Sequence, residues 1–518
     1  MLTTRPAVTV GDRLEMWACW LDRRSTLIIL ALAGLYLTLI HHSVYRHLWY
    51  DELHTFYIAQ APSLSRFVEE IRLLDLNPPL QYALVRISFD LFGVSELTTR
   101  LPMILIYFLG SVCFFTFMRR RVGSLWAAAG VLLGWYSQFF YLSTEARPYA
   151  ILIGFLGFTV MSWDYAVSGV RRGWSLIGIS VGALCMILSH VFAPLWIMPL
   201  WAAEIVRTWK QRRIDWPVWM TLTLPLSACV TYLPLIRGVS GGVIPPQFLG
   251  SIQKTISLYL TILILDVTPV LVAAFSAFAI AVWRKCKAKP GFSSPDLALC
   301  LVFLLLPVLL NVISFYKHIP YYDRYASPAA LMMSILILLF IAYESKVNRL
   351  SGLVATFIIF AFLISSPLLR GLDHEPFQAA NQIPRMSISR TPFGQIHPEL
   401  PLVINNALVF LELDHYELPD VLARLYYLAD VNFALKYTNS NITEGLPVLK
   451  AYFPIRAKVA PYSEFISTHR HFLVWGRMDD ELGWLLRKLR ADGVDVKELG
   501  DFESADYGGE LYEVTLDQ

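Results

Sequence analysis

The sequence predicts a polytopic α-helical membrane protein of about eleven spans with a C-terminal extracytoplasmic α/β domain. Three observations lead there. Hydrophobic residues make up 56% of the 518 and charged residues 16%, with a mean hydropathy of +0.51; a soluble domain carries roughly 25% charge. Apolar runs of spanning length, roughly 20 residues each, recur as far as Pro367. Charge then divides the chain. Residues 371–518 hold 13 Lys and Arg against 22 Asp and Glu, a net of −9, and the first 370 hold 30 against 18, a net of +12. Two bodies with different solvents follow from that division.

Residues 1–25 form a basic N-terminus, with Arg5, Arg13, Arg23 and Arg24. The expected spans lie near residues 26–41, 101–118, 124–141, 149–167, 174–190, 191–206, 217–236, 256–283, 296–315, 325–343 and 350–367. No small-residue cleavage site follows the first, which therefore reads as an anchor and not a removable signal. The pair around His190 reads as one helical hairpin or a re-entrant element. Every second connection is basic: Arg119-Arg120-Arg121, Arg171-Arg172, Arg207 through Arg213, Arg284-Lys285 with Lys287, and Lys346 with Arg349. The positive-inside bias assigns that side to the cytoplasm. The first loop, residues 42–100, the stretch from Tyr316 to Tyr325 and the acidic tail then lie outside, which places the protein in the plasma (inner) membrane with a cytoplasmic N-terminus.

The first outer loop is the informative segment. It opens on Trp49-Tyr50-Asp51-Glu52 directly after the first span. Two adjacent carboxylates at a membrane surface are costly to desolvate and need partners. One of them can take a proton from an acceptor hydroxyl; an equally good reading at this point is a solvated pair beside an aromatic belt residue. Then come Asp75-Leu76-Asn77-Pro78-Pro79-Leu80 and Tyr82. Two prolines hold the chain extended and give Asp75 a set direction. Residues 80–92 read as an amphipathic helix along the interface. Glu96, Arg100, Leu101 and Pro102 close the loop.

The remaining polar residues among the spans each carry two readings. Arg147 either snorkels to the surface or meets an anion, and Arg324 either pairs with Asp323 or does the same. Lys317 reads as an interfacial anchor beside His318. His190 and Asp266 are lone ionisable groups in apolar surroundings, which raises their functional interest against the plainer reading of buried, satisfied side chains.

After Pro367 a proline-containing loop leads into the tail, residues 368–518. Residues 401–411 read as a buried strand with its flanks, 419–429 as a helix, 471–476 as a strand, 478–491 as a helix, Val494-Asp495-Val496 as a strand and 510–515 as an edge strand. That order suggests a small α/β domain. Its Asn441-Ile442-Thr443 has the form of a glycosylation acceptor, a tripeptide common by chance. All six cysteines lie at or before Cys300, so the tail has no disulfide to lean on.

Taken together, the Asp51-Glu52 pair, the Asp75-to-Tyr82 stretch, Arg100-Leu101-Pro102 and Thr144-Glu145-Ala146-Arg147-Pro148-Tyr149 resemble the GT-C glycosyltransferases. The nearest branch is glycosyltransferase family 39, of the protein O-mannosyltransferase and lipid A aminoarabinose transferase type. The resemblance covers residues 45–150, with Tyr322-Asp323-Arg324-Tyr325 similar to a late outer loop near the donor. It implies a sugar donor on polyprenyl phosphate, presented outside, and attack by an acceptor hydroxyl with inversion. It implies Asp51 as general base and Glu52 as its neighbour. Asp75, with Tyr82 in the same stretch, would line the site or help a metal or acceptor contact. Arg147 and Arg324 would hold the donor phosphate, with Lys317 and His318 sharing that work. A guanidinium fork suits a phosphate. No inserted sugar-binding repeats stand between spans, so lipid, glycan and protein all stay open as acceptors. A divalent metal stays open too, since no ligand spacing is clear.

Basic residues scattered at helix ends exclude a nucleic-acid partner. A transporter or flippase of a lipid-linked substrate is the main rival, yet transporters place charges within spans and repeat their halves. A scaffold whose tail does the work is the second rival; the tail holds Glu412, Asp414 and His415 but no nucleophile motif or phosphate-binding glycine loop.

Overall fold

The computed structural model describes residues 10–75, 77–233, 235, 245, 248–284, 286, 293–370, 395–442, 444–503 and 508–516. The helices of the apolar part are α1 (Val10–Asp22), α2 (Ser25–Ile40), α3 (Tyr50–Ala59), α4 (Leu64–Leu74), α5 (Leu80–Phe92), α6 (Glu96–Val122), α7 (Ser124–Tyr136), α8 (Pro148–Val167), α9 (Arg172–Ile187), α10 (Ala193–Gln211), α11 (Trp216–Thr223), α12 (Ile252–Trp283), α13 (Ser294–Lys317), α14 (Ser327–Glu344) and α15 (Arg349–Arg370). Each apolar run expected to span overlaps one of these helices. Among the described residues, Glu96–Val122, Pro148–Val167, Ser294–Lys317 and Asp323–Glu344 are long and apolar enough to cross a bilayer, and α1 with α2 forms a pair bent by 84°. The protein is thus mostly helical with several apolar spans.

The bundle is built around α7, which is apolar on all sides and buried at every residue. A helix of that kind belongs inside, because no face of it suits water. Small residues let its neighbours close up. A Cβ on Gly110 of α6 would lie 2.4 Å from Gly154 Cα of α8, and one on Gly157 would lie 2.6 Å from the Gly110 carbonyl. Close approach through glycine is how helices gain contact where lipid supplies no hydrophobic drive. Large apolar side chains such as Leu105, Leu109, Phe275, Leu305 and Phe357 are exposed on the outside of the bundle, where acyl chains would cover them.

Charge is sorted to the two ends. At one end Arg121 bridges Asp164 at 2.9 Å and Asp296 at 2.7 Å, and Arg207 joins Glu204 at 2.5 Å and Asp215 at 2.8 Å. Asp22 accepts from Ser124 N at 2.7 Å and Leu125 N at 3.1 Å, so it caps α7 from another helix. Arg100 sits at the other end of α6, about 30 Å from Arg120 by helical rise.

The first loop is not extended. It folds into α3, α4 and α5, and only the last was expected. Pro78 and Pro79 stop any helix before Leu80, and α5 runs to Gly93, whose φ of 81° ends it. Ser63 caps α4 by accepting from Arg66 N.

The tail is an α/β domain on one sheet. Its strands are β1 (Leu402–Ile404), β2 (Leu425–Ala429), β3 (Lys458–Pro461), β4 (His471–Gly476), β5 (Asp495–Glu503) and β6 (Gly508–Thr515), in the order β3-β2-β1-β4-β6-β5. β1 to β4 are parallel, and β6 runs antiparallel between β4 and β5. Several expectations fail here. Only residues 402–404 of the run 401–411 form strand; Asn406 accepts from Leu408 N and starts helix α16 (Ala407–Tyr416). The stretch 419–429 is helix only to Arg424 and then becomes β2, and the helix expected over 478–491 is confined to Leu485–Ala491. β6 is an interior strand and β5 the edge. Helix α15 runs through the domain boundary expected at 368 as far as Arg370, and Thr443 of the acceptor tripeptide lies outside the described residues.

Alternation along the strands divides the tail core. Val403, Phe472 and Val474 pack with Trp484 and Leu485 on one face. Leu402, Ile404, Leu473 and Trp475 on the other share a core with Leu48, Leu53, Ile58, Phe67 and Ile71 of the first loop. The loop and the tail therefore bury apolar surface against each other, and this joint core positions the site described next.

Candidate active site

Asp51 occupies the first turn of α3, where the helix dipole favours a carboxylate. Its Oδ2 lies 3.2 Å from Arg324 Nη2 and 3.7 Å from Arg147 Nε. Arg147 precedes α8, and Arg324 lies in the single 3₁₀ turn Asp323–Ala326 before α14. Arg147 Nη1 donates to Asp75 Oδ2 at 2.8 Å and to the Asp51 carbonyl at 3.2 Å. Three segments far apart in sequence thus meet at one carboxylate.

Asp75 is held by Asn77 and Arg147. Its Oδ1 accepts from Asn77 N at 3.3 Å and Asn77 Nδ2 at 2.8 Å. Burial pushes its pKa up, but the Arg147 guanidinium outweighs this and His54 adds to it, bringing it down to about 2. Tyr82 is fully buried and close enough to feel the Asp75 charge.

Glu52 points elsewhere. It is wholly buried against Arg100, with Arg100 Nε to Oε1 at 2.8 Å and Arg100 Nη2 to Oε2 at 2.6 Å, and it accepts from Ala146 N at 2.8 Å. Arg100 also donates to the carbonyls of Val44, Arg46 and His47. Burial raises the Glu52 pKa, and Arg100 with Arg46 more than reverses this, leaving it below the ordinary value. The pair ties α3 to α6 and to the loop before Ala146. Glu52 is adjacent to Asp51 in sequence but joins a different ion pair.

The Arg324 guanidinium lies over the rings of Trp49, Tyr149 and Tyr322, at 5.5, 5.7 and 4.7 Å. The Nε of Arg147 and the Nε of Arg324 are both buried without a hydrogen-bond partner. Buried guanidinium N–H groups normally find acceptors, so two donors beside Asp51 are open to an acceptor from outside the protein. Lys317 and His318 are not brought here. Both are exposed; Lys317 ends α13, and His318, with φ of 53°, terminates that helix by donating to Ser314 O.

Of three further neighbours, sequence reasoning passed over His54, quoted Glu145 only within a motif and singled out His190 without a role. His54 lies one turn beyond Asp51 on α3, and burial lowers its pKa despite Asp75 and Asp51, which favours neutral imidazole. The spacing of three from Asp51 marks it once 50–59 is read as helix. Glu145 is buried 3.8 Å from Arg46, and burial raises its carboxyl to about 7. His190 sits against Tyr149 and Tyr325 at 5.4 and 5.7 Å and accepts from Phe192 N at 3.1 Å. Asp266 lies in α12, where the side chains of residues 262–267 fall outside the described residues. Among the described residues no group of three or more His, Cys, Asp or Glu could hold a metal ion.

Residues 76–234 match the family model of dolichyl-phosphate-mannose-protein mannosyltransferase. That segment contains Tyr82, Arg147 and His190 and is just under a third of the chain. Among solved structures the chain is similar to ArnT from Cupriavidus metallidurans in the apo state, with 14% identity, 94% of this chain and 97% of that chain covered, and a TM-score of 0.51. It is also similar to ArnT from the same organism bound to undecaprenyl phosphate, with the same identity and coverage and a TM-score of 0.47. No curated protein matches. The resemblance to glycosyltransferase family 39 read from the sequence is borne out by the family match, and the ArnT-like fold by the first of these structures.

Proposed function

We propose that this protein is a membrane glycosyltransferase that moves a sugar from a polyprenyl-phosphate donor to an acceptor hydroxyl on the extracytoplasmic face, with inversion. Eleven spans, a cytoplasmic N-terminus and an outer tail belong to the same reading. One observation carries it: Asp51 stands between two guanidiniums that each keep a buried N–H without a partner. The family match over residues 76–234 supports the donor class.

The geometry suits the chemistry step by step. Donor phosphate binds the open Nε–H groups of Arg147 and Arg324 and competes with Asp51 for the two guanidiniums. That frees the Asp51 carboxylate to accept the proton of the acceptor hydroxyl. The hydroxyl oxygen forms a bond to the anomeric carbon from the face opposite the phosphate. The anomeric C–O bond to phosphate breaks, and its electron pair leaves on the phosphate oxygen. Charge grows on that phosphate in the transition state, and fixed cations in a site poor in water lower the barrier. The acceptor is a lipid, a glycan or a protein hydroxyl.

The test is incubation of purified protein in lipid with a panel of polyprenyl-phosphate sugars and candidate acceptors. Release of free polyprenyl phosphate with one sugar supports the reading and names the donor. A donor that crosses the bilayer intact, with no polyprenyl phosphate released, would replace it with a flippase.

A further inference from the structure

The geometry points to the tail as a positioning part of the catalytic centre, with Glu412 capping from a distance the helix that presents Asp51. The inference rests on the function proposed above for Asp51 and adds the residue that holds it. The local cap of helix α3 is weak: Glu52 Oε2 reaches back to Trp49 N at 3.4 Å. Its N-cap residue is Trp49, whose indole has no oxygen to accept from the first turn. The N–H of Tyr50, one residue before Asp51, instead donates to Glu412 Oε1 at 2.9 Å. That carboxylate lies on α16, more than three hundred residues away, and brings a negative charge to the positive end of α3.

Glu412 acts with two others on the same face of α16. The Tyr416 hydroxyl accepts from Leu48 N at 2.7 Å, and its ring stacks on His47 at 3.6 Å between centroids. His415 Nδ1 meets the Tyr57 hydroxyl at 2.6 Å, toward the far end of α3. Positions 412, 415 and 416 follow helical spacing, so one face of one tail helix grips both ends of the catalytic helix. Phe453 of the tail also packs against His54 and Tyr57. An error of about 1 Å in a reacting group can cost on the order of 100-fold in rate, which is why a cap next to the base belongs to catalysis.

The test uses the full chain in lipid nanodiscs. Hydrogen exchange is followed across peptides covering 47–53 and the tail sheet, together with donor turnover, for wild type, Glu412→Ala, Glu412→Gln and Tyr416→Phe. Glu412→Ala should lose amide protection over 47–53 while the tail strands keep theirs. Its kcat should fall roughly 10- to 100-fold with donor KM unchanged within twofold. Glu412→Gln keeps an accepting oxygen and should recover most of both. Tyr416→Phe keeps the ring stack and gives a second, milder loosening should Glu412→Ala disturb the whole tail. Unchanged protection at 47–53 in both Glu412→Ala and Tyr416→Phe overturns the capping, and lost protection with unchanged kcat overturns its catalytic meaning. A wild-type protein that releases no polyprenyl phosphate from any donor yet shows the exchange pattern overturns the proposed reaction and leaves the cap standing.

Discussion

In the proposed reaction two guanidiniums and two carboxylates set the chemistry, and their roles separate by what each still lacks. Arg147 is already bonded to Asp75, whereas Arg324 is held by aromatic faces and a longer contact to Asp51. Arg324 is therefore the freer to take a phosphate. Arg324→Ala should raise donor KM at least tenfold and leave acceptor KM within twofold, and Arg324→Lys should recover only part, since a point charge lacks the fork; steady-state kinetics with each substrate varied checks this. Asp75 carries a pH signature. Its folded pKa, about 2, lies below its ordinary 3.8. A depressed carboxyl contributes stability that is complete above pH 3.8 and lost as pH falls toward 2. The fall in melting temperature across that window should be smaller in Asp75→Asn than in wild type, and identical slopes would count against the Asp75–Arg147 contact.

Among the elements, α3 matters most and was the least legible. Its sequence is short, partly polar and free of an ordinary capping residue, so nothing local announces a helix. Glu412 at its start and part of its buried face come from the tail, which no local pattern can reveal. The Glu52–Arg100 pair was hidden for the same reason: adjacency to Asp51 suggested a shared site, but one helical step of about 100° turns Glu52 toward α6. In the tail, Ala407–Tyr416 is apolar enough to continue a strand, and only Asn406 hinted at a helix start. By contrast α5, α6, α8 and α13 were readable, because proline, glycine and long apolar runs act locally. Removing one partner of a buried ion pair strands the other's charge and costs about 3–5 kcal/mol. Glu52→Ala should therefore lower thermal stability in detergent sharply, more than Asp51→Ala. A melting temperature equal to wild type would show that α3 is held without this pair.

On the scale of the whole molecule, polarity runs along the bundle. Arginine clusters bridged by Asp164, Asp296 and Asp215 lie at one end, and the Asp51 cluster and tail lie at the other. The basic loops were legible in the sequence, and in the proposed orientation the positive-inside bias puts them in the cytoplasm and the tail outside. A cysteine introduced at exposed Lys436 in a background lacking the native cysteines should react with a membrane-impermeant maleimide on intact spheroplasts; reaction only after lysis would reverse the orientation. The shared core of sheet and first loop joins the tail to the body that holds the Asp51 cluster.

All three scales depend on Asp51 as the base of a phosphate-leaving sugar transfer. The direct measurement is polyprenyl phosphate released per enzyme by Asp51→Asn beside wild type, with donor binding measured on the same preparations. Turnover should fall by on the order of 100- to 10,000-fold while donor binding holds or tightens, because the neutral amide no longer competes for Arg324. Turnover close to wild type in a correctly folded Asp51→Asn protein would contradict the account.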